Sequence, residues 1–119
     1  MSDKILFVEY PKCTTCQKAK KWLEARGVVF EDRHIKEVPP TMDELKHWHK
    51  ASGLPLKRFF NTSGMLYKEM KLKDRLSAMT EEEMYQLLAT DGMLVKRPIL
   101  VTSKGITTSF KESEWILLI

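Results

Sequence analysis

The sequence predicts an α/β fold: a four-stranded mixed sheet flanked by helices, with a helical insertion at about residues 41–91 before a C-terminal β-hairpin. Three observations predict it. Two short apolar runs, ILFV and VVF, enclose one amphipathic helical stretch. The middle of the chain carries repeated helix-start signals. Near the end, two runs rich in β-branched residues flank Gly105.

The elements follow in order. Residues 5–8 form a short apolar run with β-branched members, the pattern of a buried strand. Next, Cys16, Ala19, Trp22 and Leu23 recur at i, i+3, i+6 and i+7, one face of a helix, with Lys18, Lys20, Lys21 and Glu24 elsewhere. Thr14 with Gln17 three residues on predicts a capping box, and Gly27 a stop. Residues 28–35 predict a second strand. The opening is therefore β-α-β, a parallel pair joined by a right-handed crossover. Pro39-Pro40 ends that unit. Thr41 with Glu44 starts a helix that turns Met42, Leu45 and Trp48 inward, with Gly53 beyond its end. Between 54 and 79, apolar clusters broken by Pro55 and Gly64 predict short helices joined by turns. Thr80 with Glu83 starts a clearer helix carrying Met84, Leu87 and Leu88, which Asp91-Gly92 stops. Residues 99–101 and 106–110, with Gly105 in the turn, predict the hairpin, and residues 112–117 a last short helix. This order is the thioredoxin-like arrangement with extra helices before the hairpin. Helices on both faces of such a sheet bury the three Trp and most of the Leu, Ile and Val.

A chain of 119 residues is long enough for one domain, residues 1–119, to close a single core without staples. Apolar residues make up 43% and charged residues 30%, an ordinary globular balance. Two cysteines cannot build a secreted disulfide framework, and no basic-then-apolar leader precedes residue 4. No apolar run approaches the ~20 residues that cross a bilayer. The cytoplasm is the expected location, and there a close Cys pair is catalytic or metal-binding rather than a permanent staple. The net charge of +4 comes from 20 Lys+Arg against 16 Asp+Glu. The basic residues are spread out, and acids interrupt the cluster at Lys68, Lys71, Lys73 and Arg75. Solvated helix faces and a preference for small anions are expected, without direct nucleic-acid binding. Nothing in the sequence demands a dimer, and a monomer is expected.

Both cysteines fall in YPKCTTCQKAKKWL, as Cys13 and Cys16, where strand turns into helix. Positions three apart on a helix share a face, so the two sulfurs can approach bonding distance. Unpaired N–H groups and the positive end of the helix dipole favour a thiolate at Cys13. Lys12 and Lys18 add positive charge nearby, whereas Glu9 opposes it. Cys13 is then the candidate nucleophile, and Cys16, one turn deeper on the apolar face, the candidate resolving thiol. Lys12, Thr14 and Thr15 are the candidate substrate contacts around it. Two reduced thiols lining the core is the plain alternative. A zinc site is disfavoured, because a structural site needs four ligands. His34, His47 and His49 are the remaining candidates, and the last two diverge on a predicted helix. His47 and His49 are expected to be solvated helix residues, and no metal is expected.

Arg97-Pro98 directly precedes a predicted strand. Strand initiation accounts for Pro98 alone, and a surface ion pair for Arg97. In thioredoxin-like folds, however, a cis proline at this point faces the Cys turn. A cis Pro98 holds Arg97 beside Cys13, as a cation for an oxyanion or thiolate.

The chain here resembles the arsenate reductase (ArsC) and Spx family of thioredoxin-like proteins. The resemblance covers nearly all of it and rests on YPKCTTCQKAKKWL, PPTMDELK, GMLVKRPILVT and FKESEW. It implies that Cys13 matches the nucleophilic cysteine and Arg97 the Arg of an Arg-cis-Pro motif that helps bind the oxyanion. Arsenate reductases of this family that use glutathione or glutaredoxin carry two further pocket arginines. Asn61 stands at the place of the first and Lys111 at the place of the second. Asn lacks the charge and Lys the bidentate fork. Cys16 stands where those enzymes need no cysteine, whereas the Spx branch has a Cys-x-x-Cys redox switch there. The region GLPLKRFFNTSG is more similar to the reductase-like branch than to a polymerase-binding surface, and the chain ends at Ile119 without the longer charged tail of the regulators.

Two functions follow as expectations. One is a thiol–disulfide oxidoreductase acting on disulfides, arsenate or glutathione adducts. Cys13, Cys16 and Arg97 are catalytic, and Asn61, Pro98 and Lys111 line the substrate site. No cofactor is bound, and glutathione, thioredoxin or glutaredoxin serves as reductant. The alternative is a redox-sensing regulator that binds the RNA polymerase α-subunit in the manner of Spx.

Overall fold

In this computed structural model residues 4–119 are described, and the reading that no leader precedes residue 4 lies outside them. The elements are β1 (Leu6–Glu9), α1 (Thr14–Ala25), β2 (Glu31–His34), α2 (Met42–Ser52), α3 (Met65–Glu69), α4 (Leu72–Arg75), α5 (Glu81–Thr90), β3 (Ile99–Thr102), β4 (Gly105–Thr108) and α6 (Glu112–Trp115). Short 3-10 turns lie at Leu56–Phe59, Leu76–Ala78 and Gly92–Leu94. The strands form one mixed sheet in the order β2-β1-β3-β4. β1 and β2 are parallel, with Leu6 opposite Glu31 and Glu9 opposite His34, while β3 is antiparallel to both its neighbours. A parallel pair needs a crossover, and α1 supplies it. The fold is the thioredoxin-like arrangement expected from the element order.

Side-chain alternation along β1 divides the core in two. Phe7 points to one face and packs with Ala19 and Leu23 of α1, Leu100 of β3 and Trp115 of α6. Leu6 and Val8 point to the other face, where Leu45, Trp48, Phe59, Leu72 and Leu88 bring the inserted helices against the sheet. The capping boxes at Thr41 and Thr80 both form. Each hydroxyl accepts the N–H of the Glu three residues on, at 3.1 and 3.2 Å, and each Glu accepts the threonine N–H, at 3.0 and 2.9 Å. Arg33 of β2 donates to both carboxylate oxygens of Glu44, at 2.6 and 2.9 Å, tying β2 to α2. Gly53 closes α2 in the left-handed region, with φ of 70°.

Several expectations are corrected. No capping box forms at Thr14: Cys13 is the residue that caps α1, and Gln17 turns its amide back to the Pro11 carbonyl. The second strand starts at Glu31 instead of residue 28. Gly27, at φ of 69°, reverses the chain, Val28 N–H still closes on Leu23 of the helix, and the ladder begins only where Glu31 donates to Ile5. Gly105 opens β4, and the turn is residues 103–104, whose ends are fastened by the Thr102 hydroxyl accepting from Lys104 and Gly105. β4 stops at Thr108 because Ser109 takes a φ of 66°, which leaves the extended ladder. Of the three Trp, Trp48 and Trp115 are buried and Trp22 half-buried. In α5 the buried pair is Tyr85 and Leu88, while Met84 and Leu87 pack at its margin. His49 is not a solvated residue: its Nδ1 lies 2.6 Å from the Tyr85 hydroxyl and its ring edges onto Phe59. Among the described residues no helix is long and apolar enough to cross a membrane.

Candidate active site

β1 ends at Glu9, and a turn closed by the Cys13 N–H on the Tyr10 carbonyl, at 2.9 Å, delivers Cys13 to the start of α1. Cys13 keeps an extended backbone, so its side chain folds over the open N–H groups of the first turn. Its Sγ accepts the Cys16 N–H at 3.4 Å. The sulfur thereby does the work that Ser or Asp does at an ordinary helix start. Cys16 lies one turn on, fully buried on the face that carries Ala19 and Leu23. Burial is the main force pushing its thiol up to about 12, against a main-chain hydrogen bond at Tyr10. Both thiols are free. One cysteine is accessible and donor-supported; the other is dry and protonated.

Cys13 opens into a cleft of about 530 Å³ that also takes in Thr15, Asn61 and Arg97. Four separate pieces of chain meet there: the start of α1, the loop after the first 3-10 turn with the start of α3, the segment from Met93 into β3, and the turn after β4. The Arg97-Pro98 bond is cis. Arg97 donates to the Met93 carbonyl at 3.3 Å, and its guanidinium lies over the Tyr10 ring, 5.2 Å from the centroid. Pro98 is buried, and its carbonyl accepts the Ser109 N–H at 2.9 Å. Asn61 is 8% exposed, and its amide is engaged within the cleft wall, with Nδ2 on the Met93 carbonyl and Oδ1 accepting from Ser63. Lys12 and Thr14 are exposed and do not line the cleft. Lys111 caps α6 without a side-chain bond, exposed and likewise outside the lining.

Sequence reasoning missed Lys96 and Ser109, which line both this cleft and a second one of about 340 Å³ beside it. The second cleft adds Lys57 and Arg58. Among the described residues, no acidic side chain lines either cleft. Lys96 had a signal, since it directly precedes Arg97. Ser109 had none, because its left-handed backbone is set by the β4 to α6 turn.

The last residue of β1 is a buried acid. Glu9 is only 4% exposed, with a carboxylate oxygen 3.8 Å from Lys20 Nζ, which sits 2.7 Å from Asp32. Burial first, and then a hydrogen bond to Asp32, push the Glu9 carboxyl up to about 7.

A model of the ArsC family matches residues 8–117. The uncharacterized protein YusI of Bacillus subtilis is 51% identical over 111 residues, which cover 93% of this chain and 94% of that one. The regulatory protein MgsR of the same organism is 31% identical across 99% of this chain and 92% of its own. Its global transcriptional regulator Spx is 28% identical across 87% and 78%. Among solved structures, a putative ArsC family related protein from Bacteroides fragilis superposes with a TM-score of 0.94 at 53% identity, covering 97% of both chains. A possible arsenate reductase from Streptococcus mutans superposes with a TM-score of 0.86 at 40% identity, over 94% of this chain and 97% of that one.

Proposed function

The chain belongs to the ArsC family, and from that premise we propose that it is a cytoplasmic, monomeric thiol–disulfide reductase for small anionic disulfides. One observation carries the reading: Cys13 Sγ caps α1 at the mouth of a cleft that holds Arg97 and Lys96 and, among the described residues, no acid. Cys13 thiolate attacks one sulfur of the substrate disulfide. The substrate S–S bond breaks, its second half leaves as a thiolate, and a mixed disulfide remains on Cys13. Arg97 faces the charge that develops there. Cys16 then displaces the bound half and closes the Cys13–Cys16 disulfide. Glutathione, thioredoxin or glutaredoxin returns the pair to the dithiol. A glutathione adduct fits the same chemistry. Arsenate fits less well, since Asn61 is uncharged and its amide is engaged, and Lys111 stands outside the cleft.

The test is turnover of purified protein supplied with glutathione, and separately with thioredoxin and its reductase. Cys13→Ser is expected to lose turnover by on the order of a thousandfold or more. Unchanged turnover in that variant would sink the reading. Similarity to MgsR and Spx supports a second reading, a regulator switched by the same cysteine pair. A pull-down on the carboxy-terminal domain of the RNA polymerase α-subunit, with the protein oxidised and reduced, decides it; no capture in either state removes it.

A further inference from the structure

A cation that serves an anionic substrate has to be held in place without being neutralised. Among the described residues no carboxylate forms an ion pair with Arg97. Arg97 donates one N–H to the Met93 carbonyl, at 3.3 Å. Beneath its guanidinium lies the ring of Tyr10, 5.2 Å from the guanidinium carbon to the ring centroid. An aromatic face attracts a guanidinium through its quadrupole, and the positive charge and remaining N–H groups stay open to an incoming anion. A carboxylate in the same place would hold the cation and cancel it.

Tyr10 is fixed on its other sides. Its ring packs against the larger core, and the His34 ring meets it edge-on at 5.7 Å. His34 is held in turn, since its Nδ1 accepts the N–H groups of Lys36 and Glu37 at 3.2 and 3.3 Å. The Tyr10 carbonyl accepts the Cys13 N–H at 2.9 Å. One residue therefore meets the nucleophile through its backbone and the cation through its side chain. The hydroxyl takes no part in either contact. Tyr10 does not line the cleft, so its ring reaches a substrate there only through Arg97.

We propose that Tyr10 is a positioning residue for Arg97 and thereby sets the preference of the site for anionic over uncharged disulfides, an inference that rests on the reductase reading. The ring holds the guanidinium from its face, and the Met93 carbonyl holds it from its edge. With the ring gone, the carbonyl alone restrains Arg97. The side chain then samples positions from which it no longer meets the negative group of the substrate. What falls first is the advantage of a charged substrate.

The experiment is rapid mixing of the reduced protein with two chromogenic disulfides, the dianion dithiobis(nitrobenzoate) and the uncharged dithiodipyridine. Attack by Cys13 on either one breaks its S–S bond, leaves one half on Cys13 and releases the other as a coloured product. The readout is the ratio of the two second-order rate constants at low salt, anionic over uncharged. General loosening of the cysteine turn lowers both constants together, whereas loss of a held cation lowers the ratio. Arg97→Gln sets the floor of that ratio. Tyr10→Leu is expected to lower it roughly three- to tenfold, and Tyr10→Phe to keep it within about twofold of the parent. Adding Tyr10→Leu to Arg97→Gln is expected to lower it no further. A Tyr10→Leu ratio equal to the parent's overturns the inference, and so does a Tyr10→Phe ratio as low as that of Tyr10→Leu. Additive losses in the double variant overturn it too, because Tyr10 then acts apart from Arg97. A parent ratio no higher than that of Arg97→Gln overturns it without any Tyr10 variant having to fold. A parent without Cys13-dependent release removes the reductase reading itself, and the inference with it.

Discussion

At the scale of single residues, Cys13 and Cys16 share a motif but differ in what surrounds them. Cys13 is half-buried and takes an N–H from the first turn of α1; Cys16 is sealed beneath the helix with its thiol pushed up to about 12, chiefly by burial. Glu9 differs from a surface carboxylate for the same reason, standing at about 7 against an ordinary 4.5, with burial the largest cause. Between those values the folded chain holds a proton that the unfolded chain has released, so stability falls as pH rises through the window. Gln in place of Glu removes that cost. Glu9→Gln is expected to melt a few degrees above the parent at about pH 8, with the difference closing towards pH 5. Thermal unfolding at both pH values checks it, and a variant that melts lower at pH 8 contradicts the assignment of Glu9 as a strained acid.

At the scale of elements, the strongest restraint lies where the insertion rejoins the sheet. Gly92 begins the last 3-10 turn, and a Cβ there would stand 1.9 Å from the Ile35 carbonyl oxygen. Both sides of that contact are backbone, so neither can swing away. Gly92→Ala is expected to cost about 2–4 kcal/mol, read as a lower midpoint in urea. A midpoint within error of the parent would mean that the two loops separate freely. The same turn carries Met93, whose carbonyl accepts from both Arg97 and Asn61, so the variant is also expected to weaken activity by displacing Arg97. By contrast, Gly27 and Gly53 have open space where a Cβ would go, and their constraint is the positive φ alone.

At the scale of the whole molecule, one thin sheet separates two unequal cores. The inserted helices build the larger, and α1 with α6 the smaller. Trp115 anchors the smaller one: it is fully buried, meets Phe110, Phe7 and Trp22 edge-on at 4.9, 6.1 and 6.2 Å, and donates its indole N–H to the Ser109 carbonyl at 2.9 Å. Trp115→Ala is expected to cost about 3–5 kcal/mol, a large share of the ~5–15 kcal/mol that holds a domain together. Trp115→Phe keeps much of the packing and loses mainly the hydrogen bond. Urea unfolding of both should rank parent above Phe above Ala. Because Ser109 lies in the wall of both clefts, losing this anchor also loosens the site.

The sequence by itself determined the element order, both capping boxes that form, and the Cys13–Cys16 pair at the start of the first helix. Those features are local: a three-residue spacing, a helix start, a period along one strand or helix. Thr14 reads as the cap because sulfur is not among the usual helix caps, and only the turn from Tyr10 shows Cys13 in that place. His49 could not be read as a partner of Tyr85, 36 residues away. Tertiary structure alone decided that Asn61 spends its amide on neighbouring groups of the cleft wall, that Lys111 stays outside the cleft, and that Lys96 and Ser109 enter it. It alone brought Glu9 of β1 and Asp32 of β2 to the same lysine of α1. Strand alternation tells which face a side chain takes, but what waits on that face is fixed when the helix is laid across the sheet.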